Sequence, residues 1–358
     1  MPELKIATFN LEWMVSVFGG RWKDWDGTIP ASFPGRKLGD LRLEPIEDVS
    51  ALSGRIAGVI RETGAQIMAF QEGPPLKKQM EEFVRLHLGN DYKVHLSNPN
   101  WQTVGFLVHR SVADKASSFP LDDPEVKTLK GKAVYYPWGK YRKEDGKGHK
   151  LDRTPLVLRF EPSSGVELRI MVVHTKSKFS MLKTKQQWEQ RVKAPVLDAL
   201  NSRQKLSAEV AILRRFLSQQ LGAAPDRAIV VMGDFNDGPL RDEMERDFLI
   251  HNILDELVGS FLEPDYYLKH AMTDKVLAEA YTTIFPDPFQ DGKLAHELID
   301  HVLVSPGIWR KTSAFSVKGG SCKVAVGAYG KHFADTGPTR KRHLRPSDHK
   351  PVCATLRF

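Results

Sequence analysis

Short apolar runs alternate with longer amphipathic stretches along this chain. Eight runs have the length and the Val, Ile and Phe content of buried strands: LKIATF (4–9), QIMAF (66–70), VGFLVH (104–109), PLVLRF (155–160), LRIMVV (168–173), AIVVMG (228–233), LIDHVLV (298–304) and PVCATLRF (351–358). Ser-Ser-Gly at 163–165 reads as the turn of a hairpin. Helical spacing begins near Asp48 and sets Ile56, Val59 and Ile60 on one face. A second helix is predicted from about Leu76 to Leu88, and a long helical region over roughly 185–221, broken near Pro195. Strands with helices between them, plus hairpins, predict an α/β fold of two sheets packed together with helices outside. No internal repeat and no linker divides the sequence, so a single domain over 1–358 is expected. Residues 117–150, rich in Lys, Gly, Asp and Pro, read as a surface insertion. The helical segment near 181–221 reads as an added outer helix, with a cap on the substrate side as the alternative.

Composition narrows the partners. There are 52 Lys plus Arg against 44 Asp plus Glu, a formal charge of +8. A basic balance favours polyanions such as nucleic acid or anionic headgroups. The N-terminal MPELKIATFN lacks the features of a signal peptide, and no apolar run is long enough to span a membrane. The expectation is a cytoplasmic protein without integral membrane association. Without coiled-coil heptads, a monomer is expected. Cys322 and Cys353 lack metal-ligand spacing and read as free thiols, with a disulfide between them as the alternative.

Chemistry gathers where the apolar runs end. Asn10 and Glu12 follow the first run, Glu72 the second, His174 and Lys176 the LRIMVV run, and Asp234 and Asn236 the AIVVMG run. Asp300 and His301 interrupt LIDHVLV, while Ser347, Asp348 and His349 precede the last run. Any one of these residues could be a turn, a cap or a solvated side chain. Together they supply what phosphate-ester hydrolysis requires. A hard cation that neutralises the phosphate takes oxygen ligands, which Glu12, Glu72, Asp234, Asn236 and Asp348 can offer. A histidine can deprotonate water near neutral pH, and an aspartate bonded to it fixes its tautomer. Amide and imidazole donors from Asn10, Asn236 and a second histidine can stabilise the charge of the transition state.

The motifs FNLEW, QEG, VVHTKSK, GDFND, LIDHVLVS and PSDHKPV, in this order, resemble those of the endonuclease/exonuclease/phosphatase superfamily. The resemblance runs from Asn10 to His349. It implies a four-layered α/β sandwich of two mixed, mainly antiparallel sheets packed face to face. It also implies roles: Glu72 as the principal metal ligand, Asn10 near metal and phosphate, Glu12 and Asp348 as further acidic groups on the metal side. By the same likeness His174 donates to the scissile phosphate, Asp234 and Asn236 orient the nucleophile, and Asp300 pairs with the general base His349. Arg153 matches an Arg-Pro-Pro segment for which a structural role is at least as fitting as a phosphate contact. A phosphate-side tyrosine is looked for within Tyr135–Tyr141. Magnesium is the implied cofactor, with manganese able to use the same ligands. VVHTKSK departs from the NTHL form of lipid phosphatases and many nucleases.

The leading expectation is a nuclease acting on DNA or RNA. The cations Lys331, Arg340, Lys341, Arg342 and Arg345 ahead of Ser347 would lie along a phosphate backbone, with Lys176 and Asn10 also on the substrate side. The alternative is a phosphatase or phosphodiesterase for an inositol-phosphate or sphingomyelin type of substrate. A third reading is a non-catalytic nucleic-acid-binding scaffold, which predicts eroded motifs; here the motif residues stand intact.

Overall fold

The structure is a computed structural model, and it describes residues 1–38, 41–178, 181–248, 250–334 and 341–358. In chain order, the strands that matter here are β1 (Glu3–Asn10), β2 (Ile67–Gly73), β3 (Tyr92–Leu96), β4 (Thr103–His109), β5 (Ala116–Ser118), β6 (Leu156–Ser163), β7 (Val166–His174), β8 (Ala228–Asp234), β9 (Lys269–His270), β10 (Thr283–Asp287), β11 (Lys293–Glu297), β12 (Asp300–Val304), β13 (Ser316–Val317), β14 (Lys323–Val324) and β15 (Val352–Arg357). One sheet has the order β13-β15-β1-β2-β4-β3, with β14 also on β15, and only β1 and β2 run parallel. The other has the order β9-β12-β8-β7-β6-β5, and only β7 and β8 run parallel.

The period-two alternation of side chains decides what faces what. Leu4 and Ile6 of β1, Ile67 and Ala69 of β2, Ile170 and Val172 of β7, Val230 and Met232 of β8 and Val302 and Val304 of β12 fill one cluster between the sheets. Their neighbours in sequence point outward. Ala7, Phe9, Met68 and Phe70 pack under helix α1 (Val49–Thr63) and helix α2 (Lys77–His87). Met171, Val173, Ile229, Val231 and Leu303 pack under the long helix α4 (Lys193–Ala223). The result is four layers, helix–sheet–sheet–helix, as the motifs implied.

Local chemistry sets the helix ends. Asp48 caps α1 by accepting the N–H of Ala51 at 2.8 Å, and Gly64 closes it at φ 59°. The expected break near Pro195 falls earlier. A short helix α3 (Lys185–Glu189) ends before Arg191, and α4 starts at Lys193, so Pro195 sits in its first turn. The missing N–H has no helical partner to lose there.

The 117–150 segment is more than surface. Phe119, Val126, Leu129 and Ala133 join the cluster under α4, and a small hairpin (Ala133–Tyr135 with Lys147–His149) lies against that helix. Its apolar residues are too irregularly spaced to show a period. Cys322 and Cys353 are free and buried. Among the described residues no helix is long and apolar enough to cross a membrane.

Behind β12 a chain of neutral histidines ties sheet to loop. The Met272 N–H donates to His270 Nδ1 at 3.1 Å, so His270 carries its proton on Nε2 and donates to His301 Nδ1 at 3.1 Å. His301 Nε2 then donates to the Asp237 carbonyl at 2.9 Å. Burial, then the neighbouring His301, push His270 down to about 3. The unfolded chain therefore binds a proton near pH 6.5 that the folded chain refuses. This contribution is intact above pH 6.5 and is lost as the pH falls from there toward 3. Between pH 6 and 4 the His270→Gln variant should lose about 1.4 kcal/mol less stability per pH unit than the wild type. Urea unfolding across that range measures it, and equal slopes for the two proteins would show that His270 is not the group that resists protonation.

Candidate active site

The predicted polar residues converge at one edge of the sandwich, where the inner faces run out of apolar side chains. His174, Asp234 and Asp300 are cross-strand neighbours, so they form a single row across β7, β8 and β12. They keep the phase of Val172, Met232 and Val302 and therefore face the gap between the sheets. Asn10 keeps the phase of Ile6 and arrives from the other sheet. Glu72 has the wrong phase for the gap. A bulge between Phe70 and Gly73, with Glu72 at φ 55°, changes its direction. Gly233 lets the row close up, because a Cβ there would lie 2.0 Å from the Val173 carbonyl oxygen.

The resulting contacts are short. Asn10 Nδ2 donates to Asp234 Oδ2 at 3.0 Å and to Glu72 Oε1 at 3.3 Å. His174 Nε2 is 3.5 Å from Asp234 Oδ2 and 3.8 Å from Glu72 Oε1. The Trp13 N–H donates to Glu72 Oε2 at 2.7 Å. On the far side of Asp234, His349 Nδ1 donates to Asp300 Oδ2 at 2.8 Å, leaving Nε2 4.0 Å from Asp234 and 3.9 Å from Asp348. Ser347 holds this arm by donating to the Asn10 carbonyl at 2.7 Å and accepting the His349 N–H at 3.0 Å. Asn236 donates its side-chain amide to the Thr175 carbonyl at 2.9 Å and its backbone N–H to Asp234 Oδ1 at 2.8 Å.

Strain concentrates in the same place. Among the described residues eight non-glycine positions have positive φ, and four of them are Glu12, Trp13, Glu72 and Asn236. Such conformations cost about 1–3 kcal/mol each and persist only where the surroundings impose them.

Burial and like charge shape the electrostatics. Burial raises Glu72, and the Asp348 carboxylate adds to it. Burial, with Asp300 and Glu72 nearby, lifts Asp234 to about 7 despite the opposing His349. Asp348 has a half-exposed side chain, yet burial of its surroundings and then the Glu12 charge bring it to about 6. Burial, then Arg153, His349 and Lys176, holds His174 well below its ordinary value and keeps it neutral. Burial opposes the charge on His349, but Asp300, Asp348 and Asp234 outweigh it and raise that histidine. A bound cation would balance the charge of such a set. Ligand atoms of Glu72, His174 and Asp234 lie within 4.8 Å of one another. Crowded carboxylates with a single imidazole fit a hard divalent ion.

The basic segment is placed otherwise than the sequence suggested. Arg342 is 4% exposed and donates to the carbonyls of Arg345 (2.9 Å), Glu12 (3.1 Å) and Leu11 (3.3 Å). It braces the turn after β1 and is not on a phosphate-facing surface. Arg345 pairs with Glu12 and, at 3.3 Å, with Glu44. Lys331 pairs with Glu62 at 2.7 Å and Lys341 with Glu47 at 2.7 Å. Arg340 lies outside the described residues. Glu12, expected as an auxiliary ligand, has its charge matched by Arg342 and Arg345, which hold it down against the effect of burial. Orientation decides all this. A guanidinium turns inward when buried carbonyls await donors, and sequence does not show those carbonyls.

Arg153 donates to the carbonyls of His174 (3.1 Å) and Thr175 (2.7 Å) and to Gln102 (2.8 Å), a structural clamp. Lys176 is half-buried beside it. Tyr135 packs on His149, while Tyr136 and Tyr141 are exposed; among the described residues none of them bonds to the cleft set. Two buried groups escaped the sequence reading. Glu209 of α4 accepts the N–H groups of Lys176 (2.7 Å) and Asp152 (3.2 Å). Arg203, also on α4, joins Asp237 at 2.9 Å and Glu245, and Lys178 meets Asp237 at 2.9 Å. Their signal was available: both helix residues fall on the apolar stripe of Ala199, Leu206, Val210 and Leu213.

With this geometry established, comparison assigns the class. The model of the Endonuclease/Exonuclease/phosphatase family matches residues 8–349, so the chain belongs to that family. No curated protein matches the sequence. Among solved structures, a truncated Caenorhabditis elegans TDP2 is 15% identical with a TM-score of 0.45, over 99% of this chain and 98% of that one. A Bacteroides vulgatus endonuclease/exonuclease/phosphatase is 14% identical with a TM-score of 0.47, over 100% of both chains. A D. rerio TDP2 complexed with single-strand DNA product is 12% identical with a TM-score of 0.46, again over 100% of both.

The placement of Arg342 is directly testable. Arg342→Ala should cost about 3–5 kcal/mol of stability, the loss expected for removing one partner of a buried charge cluster. The same variant should leave the salt dependence of polynucleotide binding unchanged. A lower salt slope with wild-type stability would return Arg342 to the substrate surface.

Proposed function

We propose that this protein is a divalent-metal-dependent phosphodiesterase whose substrate is nucleic acid. The observation that carries the reading is the pairing of two units across one cleft: a Glu72–His174–Asp234 cluster within ligand distance, and a His349–Asp300 dyad aimed at the same Asp234. The first suits an ion and a phosphate. The second suits a base.

Roles follow from the atoms. Asp300 accepts the hydrogen bond from His349 Nδ1–H and so aims Nε2 at the cleft. The carboxylates around it favour the protonated imidazole, so His349 acts as base in the fraction deprotonated at Nε2, whose lone pair can accept a proton from a water molecule. Asp234 lies 4.0 Å from that nitrogen and, with Asn236, orients the attacking water. His174, kept neutral by burial, donates a hydrogen bond to a phosphate oxygen, as does the Asn10 amide. Glu72 and Asp234, with Asp348 at the mouth, would hold a magnesium or manganese ion, which supplies Lewis-acid neutralisation of the phosphate. Support for nucleic acid over a lipid or inositol phosphate rests on the net charge of +8. The basic 331–345 segment gives no separate support, since its described cations are paired within the protein.

His349→Ala should lower kcat roughly a hundred- to ten-thousandfold. Glu72→Gln should raise the magnesium concentration needed for half-maximal rate as well as lowering the rate. Cleavage of labelled single- and double-stranded DNA and RNA, with and without chelator, measures both. Full activity in His349→Ala would refute the assigned base, and turnover confined to phosphorylated inositols would move the substrate to the alternative class.

A further inference from the structure

Most of the chain's excess positive charge sits in one segment. Residues 130–150 hold seven Lys or Arg against two Asp or Glu, a net +5 of the chain's +8. All seven cations are exposed. Among the described residues none of them forms an ion pair, whereas Lys331, Lys341 and Arg345 are paired. Unpaired like charges repel one another, and a polyanion laid along them relieves that repulsion. The same stretch holds the three most exposed Tyr and Trp side chains of the described residues: Tyr141 at 82%, Trp138 at 44% and Tyr136 at 42%.

Strand phase explains how the small hairpin of 133–135 and 147–149 presents these groups. Ala133 and Tyr135 turn toward α4, so Lys132, Val134 and Tyr136 take the outer face. The facing strand is bare there. Val134 pairs with Gly148. A Cβ on Gly148 would lie 3.3 Å from Lys132 Cδ, and one on Gly146 would lie 3.3 Å from Tyr136 Cε1. The two glycines therefore give room to the lysine stem and the tyrosine ring.

The hairpin is rooted at the wall that carries His174. His149 Nε2 donates to Glu209 Oε1 at 3.2 Å, and the other oxygen of Glu209 accepts the Lys176 N–H. Gln204 of α4 donates to the Tyr136 carbonyl at 2.8 Å. Burial, then Arg153 and Lys205, lowers the Lys176 ammonium, so further cations gather beside that root.

We propose that residues 130–150 carry one unpaired strand of nucleic acid away from the cleft, with phosphates along the cations and bases stacked on Tyr136, Trp138 and Tyr141. The proposal rests on the phosphodiesterase reading above and adds a preference for single strands. Bases of a duplex are stacked on one another, whereas those of a single strand are free to lie on an exposed ring. An anionic lipid surface matches the charge, and Tyr and Trp also sit at such surfaces. The root on the His174 wall favours a chain that continues from the cleft.

The test is binding of labelled single- and double-stranded oligonucleotides of equal length, followed by fluorescence anisotropy across a salt series. Chelator prevents cleavage, and melting curves show that each variant folds. The wild type should bind the single strand roughly fivefold or more tighter than the duplex. Lys140→Ala, Arg142→Ala and Lys143→Ala combined should lower the single-strand salt slope by about 2, at about 0.7 per phosphate contact. Tyr141→Ala should weaken single-strand binding roughly fivefold or more and leave duplex binding alone, and Tyr141→Phe, which keeps the ring, should bind like the wild type. An unchanged slope in the charge variant, or equal losses on both oligonucleotides in Tyr141→Ala, would overturn the proposal. So would lost co-sedimentation of these variants with phosphatidylserine–phosphatidylcholine vesicles beside intact oligonucleotide binding, which would give the segment to a lipid surface. Hydrolysis of bis(4-nitrophenyl) phosphate by the wild type tests the catalytic reading alone. Its absence beside the expected oligonucleotide binding would reject the chemistry and sustain the strand path.

Discussion

Neighbouring side chains on a strand point to opposite faces, and the cleft depends on each strand keeping its phase to the last residue. Because β7, β8 and β12 are in register, His174, Asp234 and Asp300 end as one row on the face already used by Val172, Met232 and Val302. A slip of one residue in any of them would turn its polar terminus toward the helices. His301 shows the alternative. One residue out of phase with Asp300, it lies on the other face against Phe235 and passes a hydrogen bond to the Asp237 carbonyl. Where phase alone would misdirect a group, the backbone turns left-handed, as at Glu72.

What the sequence made legible follows from this periodicity. Apolar runs ending in Asn, His or Asp revealed both the strands and the residues at their ends, because one period governs both. Glu72 was legible from its motif, but the bulge that turns it was not. The inward turn of Arg342 and the pairing of Arg345 with Glu12 were hidden for another reason. They depend on unpaired carbonyls and carboxylates brought in by the turn after β1, more than three hundred positions away. Within the 117–150 segment Phe119, Val126, Leu129 and Ala133 pack under α4 without a repeat, so their burial left no period to read. Glu209 and Arg203 sat in plain view on an apolar stripe, where a buried charge demands a partner.

The wall carrying His174 is held from two sides. Arg153 takes the carbonyls of residues 174 and 175, and Glu209 takes the N–H of residue 176. Opposed charges thus saturate the backbone just after β7, and the imidazole is presented on a fixed support. Such fixed placement is what transition-state stabilisation by preset dipoles needs. The net charge of +8, by contrast, acts at a distance, and its effect falls off with salt.

The pairing of β1 with β15 bears on the order of assembly. Residues 3–8 lie between β2 on one side and residues 352–357 on the other, and Asn10 and His349 extend from these neighbouring strands. During synthesis the first strand leaves the ribosome with one edge that no nearby segment can fill. That edge stays open until residues 352–357 have been made, and an open edge invites pairing with other chains. The cleft is likewise split until then, so a nascent chain carries most of the sandwich without His349 beside Asn10 and Asp234. The polar row of the cleft would be complete only once residues 352–357 pair with β1.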